Sequence, residues 1–322
     1  MTRPHSPTAP PRLEAPNPVR TGNLETSDTQ RALARAVEWF AGRESRQAIL
    51  ARQLTGLHRA EDHAAAGFAI RETRRQTRMD GSVEGSLVRT AWATGELLDL
   101  GCRPDDAPVV RTLGFVLSRQ NGPGHFGEGC DPERHVARLC THYLSGFFSA
   151  GLRDEAVAPL QFPCGLTIHD EEQARFAASC FALRVVLRAG EDRRDAVRQH
   201  VRCLIDLSVL WQDDDPRWPL DLACLALGAI TLGPYDLREQ VEACIGDVVA
   251  RQAPDGSWPG AELFNVLDVL AATPSLRARA AVDRTVPHLL RGQLSDGSWE
   301  GGVKEERTLI GLRALRVALR AA

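Results

Sequence analysis

Lysine is almost missing from this chain. Of 39 basic residues only Lys304 is a lysine, a bias we assign to the composition of the genome, not to an arginine-rich binding surface. The net charge is −3, which removes any general electrostatic pull toward nucleic acid or an anionic membrane. Aromatic residues are scarce at 6%, with two tyrosines. No stretch approaches the roughly 18 uninterrupted apolar residues of a membrane span, and the N-terminus lacks the apolar core of a signal peptide. A cytoplasmic protein without transmembrane segments is therefore expected, with peripheral membrane contact still compatible. The eight cysteines are scattered through apolar stretches instead of forming a disulfide framework, as for buried reduced thiols. The alternation of apolar and polar residues that marks strands is almost absent.

A repeat and a helical period are present. Gln252, Asp255, Gly256, Ser257 and Trp258 recur 41 residues later as Gln293, Asp296, Gly297, Ser298 and Trp299. Gln76, Asp80, Gly81, Ser82 and Val83 form an earlier copy, and looser copies surround Gln120–Phe126 and Gln212–Trp218. A fixed period of this length is the signature of a repeat architecture. Between the phrases, apolar residues recur at helical spacing, as at Leu33, Val37, Phe40 and Ile49. Glycine loops centre near residues 80, 122, 165, 213, 255 and 296. Each unit reads as an amphipathic outer helix, a glycine loop, an apolar inner helix and a glycine stop. The expectation is an all-α protein with six such helix pairs, closed into a single (α/α)6 toroid over residues 28–322. Residues 1–27, rich in Pro, Thr, Ser and Asn, are expected to be a disordered tail. An open solenoid is the alternative, but it needs polar capping repeats, and the final helix does not look like one.

The Gln-x-x-Asp-Gly-Ser-Trp phrase resembles the repeats of squalene–hopene cyclases and, more loosely, of protein prenyltransferase β subunits. The resemblance spans roughly residues 60–322 and implies an (α/α)6 toroid. The phrase itself is architectural, so Trp258 and Trp299 are assigned to packing. Class II terpene cyclases protonate an alkene with an Asp-x-Asp-Asp acid at the start of an inner helix. That chemistry needs a carboxylic acid kept protonated by burial and by neighbouring carboxylates, inside an aromatic-lined apolar cavity. The strict motif is absent. Two groups come near it: Asp213, Asp214 and Asp215 with Asp221, and Glu171 with Glu172. Acids at helix starts also arise simply as caps and dipole partners. Candidate cavity-wall residues are Trp92, Tyr143, Phe147, Phe148, Phe176, Phe181, Trp218 and Phe264; for each the simpler role is core packing.

The prenyltransferase zinc site is not reproduced. In the segment that resembles one of that family's helices its histidine position is Leu139, and no Asp-x-Cys lies in register. A different zinc site would combine His125, Cys130 and His135, although their spacing matches no standard module. Cys164 with His169 and Asp170 is a weak nucleophile candidate. No cofactor is expected, with room left for zinc or magnesium. The function expected from the resemblance is acid-initiated cyclisation of a linear isoprenoid, a hydrophobic small-molecule partner, in the toroid cavity. A non-catalytic toroid that binds an isoprenoid or a protein is the alternative from another class; zinc-dependent prenyl transfer is the third.

Overall fold

The computed structural model describes residues 22–120, 147–150, 156–208 and 218–320. Twelve α-helices dominate the described residues: α1 (Gly22–Phe40), α2 (Arg46–Thr55), α3 (Glu61–Gln76), α4 (Leu87–Asp99), α5 (Ala107–Ser118), α6 (Glu171–Arg188), α7 (Asp195–Leu207), α8 (Leu220–Ile230), α9 (Arg238–Ala250), α10 (Leu263–Leu270), α11 (Leu276–Arg291) and α12 (Lys304–Leu319). One short antiparallel hairpin, β1 (Leu160–Gln161) and β2 (Thr167–Ile168), surrounds the glycine loop at residue 165. The mostly helical fold expected from the periodicity is observed. Helix α1 begins within the stretch read as a tail, and the apolar stripe Leu33–Ile49 is divided between α1 and α2. Ser45 caps α2 by accepting from Ala48 N at 3.3 Å, which starts a new helix in place of the old one.

Helices alternate in character along the chain. All ten residues of α8 other than Asp221 are buried, whereas α7 buries one stripe, Val197, His200, Val201, Leu204 and Leu207. The even-numbered helices pack in the succession α4, α6, α8, α10, α12, α2; the odd-numbered α7, α9, α11 and α1 pack in succession outside them. Helix α1 thus lies against α11 and α12, so the two ends of the described chain meet.

The repeated phrase explains that meeting. In each clean copy the aspartate folds back on its own loop: Asp255 accepts from Ser257 N at 3.0 Å, and Asp80 and Asp296 do the same with Ser82 and Ser298. The tryptophan indole reaches back to the preceding helix, Trp258 to Val248 O at 3.1 Å and Trp299 to Leu289 O at 3.0 Å. The glutamine reaches forward. Gln252 Nε2 donates to Ala281 O on α11 at 2.9 Å, and Arg284 donates to Gln252 Oε1 at 2.8 Å. Gln293 makes the same pair of bonds with Ala32 O at 2.9 Å and Arg35 at 2.5 Å, but on α1. The first helix of the chain therefore receives the last loop. The glycine is what permits the approach. Gly256 and Gly297 have φ of +83° and +90°, and an added Cβ would lie 2.1 Å from Arg284 O and 2.4 Å from Arg35 O.

Gly297→Ala combines a left-handed backbone with a collision against main chain, and is expected to destabilise the fold by about 3 kcal/mol. Gly260→Ala has a φ of +78° but open space around it, and should cost only about 1 kcal/mol. Denaturant unfolding of both variants checks the difference, and equal losses would show that the docking is not what constrains Gly297.

Candidate active site

The even-numbered helices surround a cavity of about 320 Å³, closed on one side by the hairpin. Each helix presents one face to it at the same spacing. Helix α4 contributes Trp92, Gly95, Glu96 and Asp99; α6 contributes Phe181, Arg184, Val185 and Arg188; α10 contributes Asn265, Asp268 and Val269, with Ala272 just past its end. Positions i, i+3, i+4 and i+7 share one side of a helix, so the sequence brings these side chains together as soon as the helices pack. Helix α8 adds Leu225 and Gly228, and α12 adds Glu306, Ile310 and Arg313.

The hairpin loop inserts Phe162, Pro163 and Cys164. Arg307 holds it there, donating to Cys164 O at 2.9 Å and to Glu300 O at 2.8 Å, and pairing with Glu262 at 2.8 Å. Phe162 meets Phe181 edge-on, with ring centroids 5.5 Å apart. Trp92, Phe162 and Phe181 make the aromatic part of the wall.

The rest of the wall is charged. Arg46, at the start of α2, donates to Glu306 at 2.9 Å and to Asp99 at 3.1 Å, and lies 3.6 Å from Glu96. Arg188 donates to the other Asp99 oxygen at 2.5 Å. Further round, Asp268 accepts from Arg184 at 2.6 Å and faces Arg313 at 3.5 Å. Removing charges from water opposes ionisation throughout, but the outcome differs by residue. For Asp99, Arg46 and Arg188 outweigh burial and hold the carboxyl below its usual range. Arg184 and Arg313 do the same for Asp268. For Glu96 burial prevails, and its carboxyl is raised above the usual range despite Arg46 and a hydrogen bond from the Trp92 side chain.

Asp221, Glu171 and Glu172, expected as acids from the sequence, do not line this cavity. Asp213, Asp214 and Asp215 lie outside the described residues. Asp221 opens α8, but its carboxylate accepts from Glu262 N at 3.1 and 3.2 Å and from Asn265 Nδ2 at 2.9 Å, tying α8 to α10. Burial raises it as well. It borders a second hollow with Thr167, Ile168 and His169 and does not line the main cavity. Glu171 accepts from Val157 N and Ala158 N at 2.8–3.0 Å and pairs with Arg175. These bonds overcome burial and lower its pKa, the opposite of what a proton donor needs. Glu172 is exposed.

Of the aromatic candidates, Trp92 and Phe181 line the cavity. Phe176 and Trp218 pack on each other at 4.7 Å between α6 and α8, and Phe147 stacks on His200 at 4.6 Å. Phe148 is fully buried beside them, and Phe264 sits under Arg307 and against Trp299. Tyr143 lies outside the described residues, as do His125, Cys130 and His135. Among the described residues no three His, Cys, Asp or Glu side chains are grouped to hold a metal, and no helix is long and apolar enough to cross a membrane. Burial pushes the Cys164 thiol up to about 12, so it stays neutral at ordinary pH and is a poor nucleophile; His169 and Asp170 are exposed, and Asp170 caps α6.

The sequence reading missed Phe162 and the whole charged ring. A signal for the ring was present: Glu96 and Asp99, Arg184 and Arg188, and Asp268 are charges within helices whose other residues are largely apolar. An arginine or acid kept on the inner face of such a helix has to be paired, and a cavity is where pairing is met.

No family model and no curated protein matches the chain. Solved structures do. A variant of the type II terpene cyclase MstE from Scytonema, in complex with geranylgeranyl dihydroxybenzoate, is similar over 93% of this chain and 100% of its own, with a TM-score of 0.55 and 13% identity. A second variant of that enzyme, in complex with the product merosterolic acid A, gives a TM-score of 0.54 and 14% identity over 94% and 100%. An apo variant gives 0.53 and 13% over 92% and 99%. The chain has the terpene-cyclase-like fold of these enzymes over nearly its whole length, at a sequence distance where the likeness speaks for fold alone.

Proposed function

We propose that the protein is a single-domain closed ring of six helix pairs that cyclises a linear isoprenoid by protonating it in the central cavity. The observation that carries the reading is the cavity itself, an aromatic wall of Trp92, Phe162 and Phe181 beside the half-buried carboxyl of Glu96. The equivalence of the Gln252–Ala281 and Gln293–Ala32 bonds supports ring closure. The fold shared with type II terpene cyclases supports the chemistry, and MstE supplies the precedent of an isoprenoid carried on a polar head. At about 320 Å³ the cavity is at the lower end of ligand-binding cavities, which suits a chain of modest length.

In this reaction an alkene takes a proton, the cation is attacked by the next alkene, and a final proton loss regenerates the acid. The protein supplies the proton, folds the chain, excludes water and faces the cation with ring edges and π faces. No metal is needed to ionise a leaving group. The apolar Leu225, Val269 and Ile310 complete the wall beside the aromatic rings. Reduced cysteines and a cytoplasmic location belong to the same proposal.

A second reading is favoured by the ion pairs of Arg46, Asp99, Arg184 and Asp268, which give much of the wall to polar groups. In it the ring binds an isoprenoid and does not convert it.

Purified protein with a panel of linear isoprenoid diphosphates, squalene and prenylated aromatic acids is expected to give a cyclic product by mass spectrometry, unchanged by EDTA. Loss of product with EDTA would transfer the reaction to metal-dependent chemistry. Binding without product would establish the second reading. Under either reading Leu225→Trp, which fills the cavity from α8, should weaken binding of the prenyl chain by about tenfold or more; unaltered binding would place the ligand elsewhere.

A further inference from the structure

The α2–α4 side of the cavity holds more acids than cations to match them. Glu96, Asp99 and Glu306 all converge on Arg46. Asp99 alone has a second guanidinium, from Arg188. Three carboxyls against two guanidiniums leave one carboxyl short of an ionic partner. The geometry selects which. Arg46 hydrogen-bonds both Asp99 and Glu306, and Glu306 also accepts from Gln47 at 2.9 Å. Glu96 comes no closer to Arg46 than 3.6 Å. It is also the acid placed one helical turn beyond Trp92, on the face of α4 that lines the cavity.

We propose that Glu96 is the proton donor of the cyclisation, an assignment that rests on the cyclase reading above. An alkene of the bound chain takes the Glu96 proton: its π pair forms the new C–H bond, the O–H bond breaks, and its electrons stay on Glu96 as a carboxylate. The cation forms at the more substituted carbon and is consumed by ring closure. The last cation loses a proton to water, and water returns one to Glu96, so reactant and product are isomers. Once Glu96 is ionised, the wall carries an uncompensated negative charge facing the cation, in a place shielded from water where such an attraction is strong. Arg46 at 3.6 Å stabilises the carboxylate left behind. Burial raises the Glu96 carboxyl above its usual range, the direction that a donor role requires. The groups that set its proton affinity are Arg46 on α2, Trp92 and Asp99 on α4 and Glu306 on α12; Arg188 on α6 reaches Asp99, and across the cavity Asp268 is paired with Arg184 and Arg313. Asp221 is also raised by burial, but its oxygens are taken by Glu262 N and Asn265 and it does not line the cavity.

The test uses the full chain, the linear substrate that the wild-type protein converts, and the variants Glu96→Gln, Glu96→Asp and Asp221→Asn, each checked for fold by circular dichroism. Glu96→Gln is expected to lower kcat by about 100-fold or more while the prenyl chain still binds. Glu96→Asp should keep part of the activity, and Asp221→Asn should stay within about threefold of wild type. In D2O the product should gain one deuterium. Wild-type kcat should fall as pH rises through the Glu96 pKa, because only the protonated form donates. Glu96→Gln with wild-type kcat, or loss in Asp221→Asn with Glu96→Gln active, overturns the assignment and leaves the cyclase reading standing. If Glu96→Gln does not fold, a folded Glu96→Asp with unchanged kcat and pH limb overturns it. A wild-type protein that binds every chain in the panel and converts none overturns the cyclase reading and this assignment with it.

Discussion

The side-chain amide of a loop glutamine, bonded to a carbonyl of the next outer helix, is the contact on which the rest of the architecture depends. Gln252 makes it to Ala281 and Gln293 makes it to Ala32. A helix pair cannot bury both faces of its inner helix alone. Each pair is completed by a neighbour, and the glutamine fixes where that neighbour sits. The glycine two residues before the tryptophan allows the backbones to touch, and the tryptophan anchors the loop to its own outer helix. Because Ala32 and Arg35 on α1 offer the same two partners as Ala281 and Arg284 on α11, the last repeat is not left with an exposed apolar side.

Packing the even-numbered helices around one axis has an electrostatic consequence. Each brings the same face inward, and several of those faces carry charge. Charges buried in that way are stable only when paired. The pairing is uneven: the Asp268 side has two guanidiniums for one carboxylate, and the Arg46 side has three carboxyls for two guanidiniums. An imbalance of this kind raises the proton affinity of one acid next to an aromatic wall, the direction that proton-initiated chemistry on an alkene requires. Asp99 and Glu96, one turn apart on α4, end in opposite protonation tendencies because only one of them has Arg188.

Much of this was legible beforehand, and the limits are instructive. The repeat phrase and the helical period gave the helices, the loops and the succession of pairs, since both depend on local chemistry. Trp92 and Phe181, read as wall residues because they sit on apolar helices, line the cavity. Phe176 and Trp218 were chosen on the same grounds and lie in the core; periodicity identifies an inward face but not whether a helix or empty space stands opposite. Asp221 and Glu171 resembled catalytic acids by position at helix starts, and each proved to be a tie, one to α10 and the other to the amides of Val157 and Ala158.

By itself the sequence determined that this chain is a repeat of helix pairs, because hydrophobic period, glycine placement and the Gln-x-x-Asp-Gly-Ser-Trp phrase act over a few residues. Tertiary structure alone decided that α1 receives the last loop, that the loop at Phe162 closes the cavity, and that Arg46, Glu96, Asp99, Arg188 and Glu306 form one charged cluster. Those residues span 260 positions of sequence from Arg46 to Glu306. Their proton affinities depend on distance and burial, which no local pattern encodes.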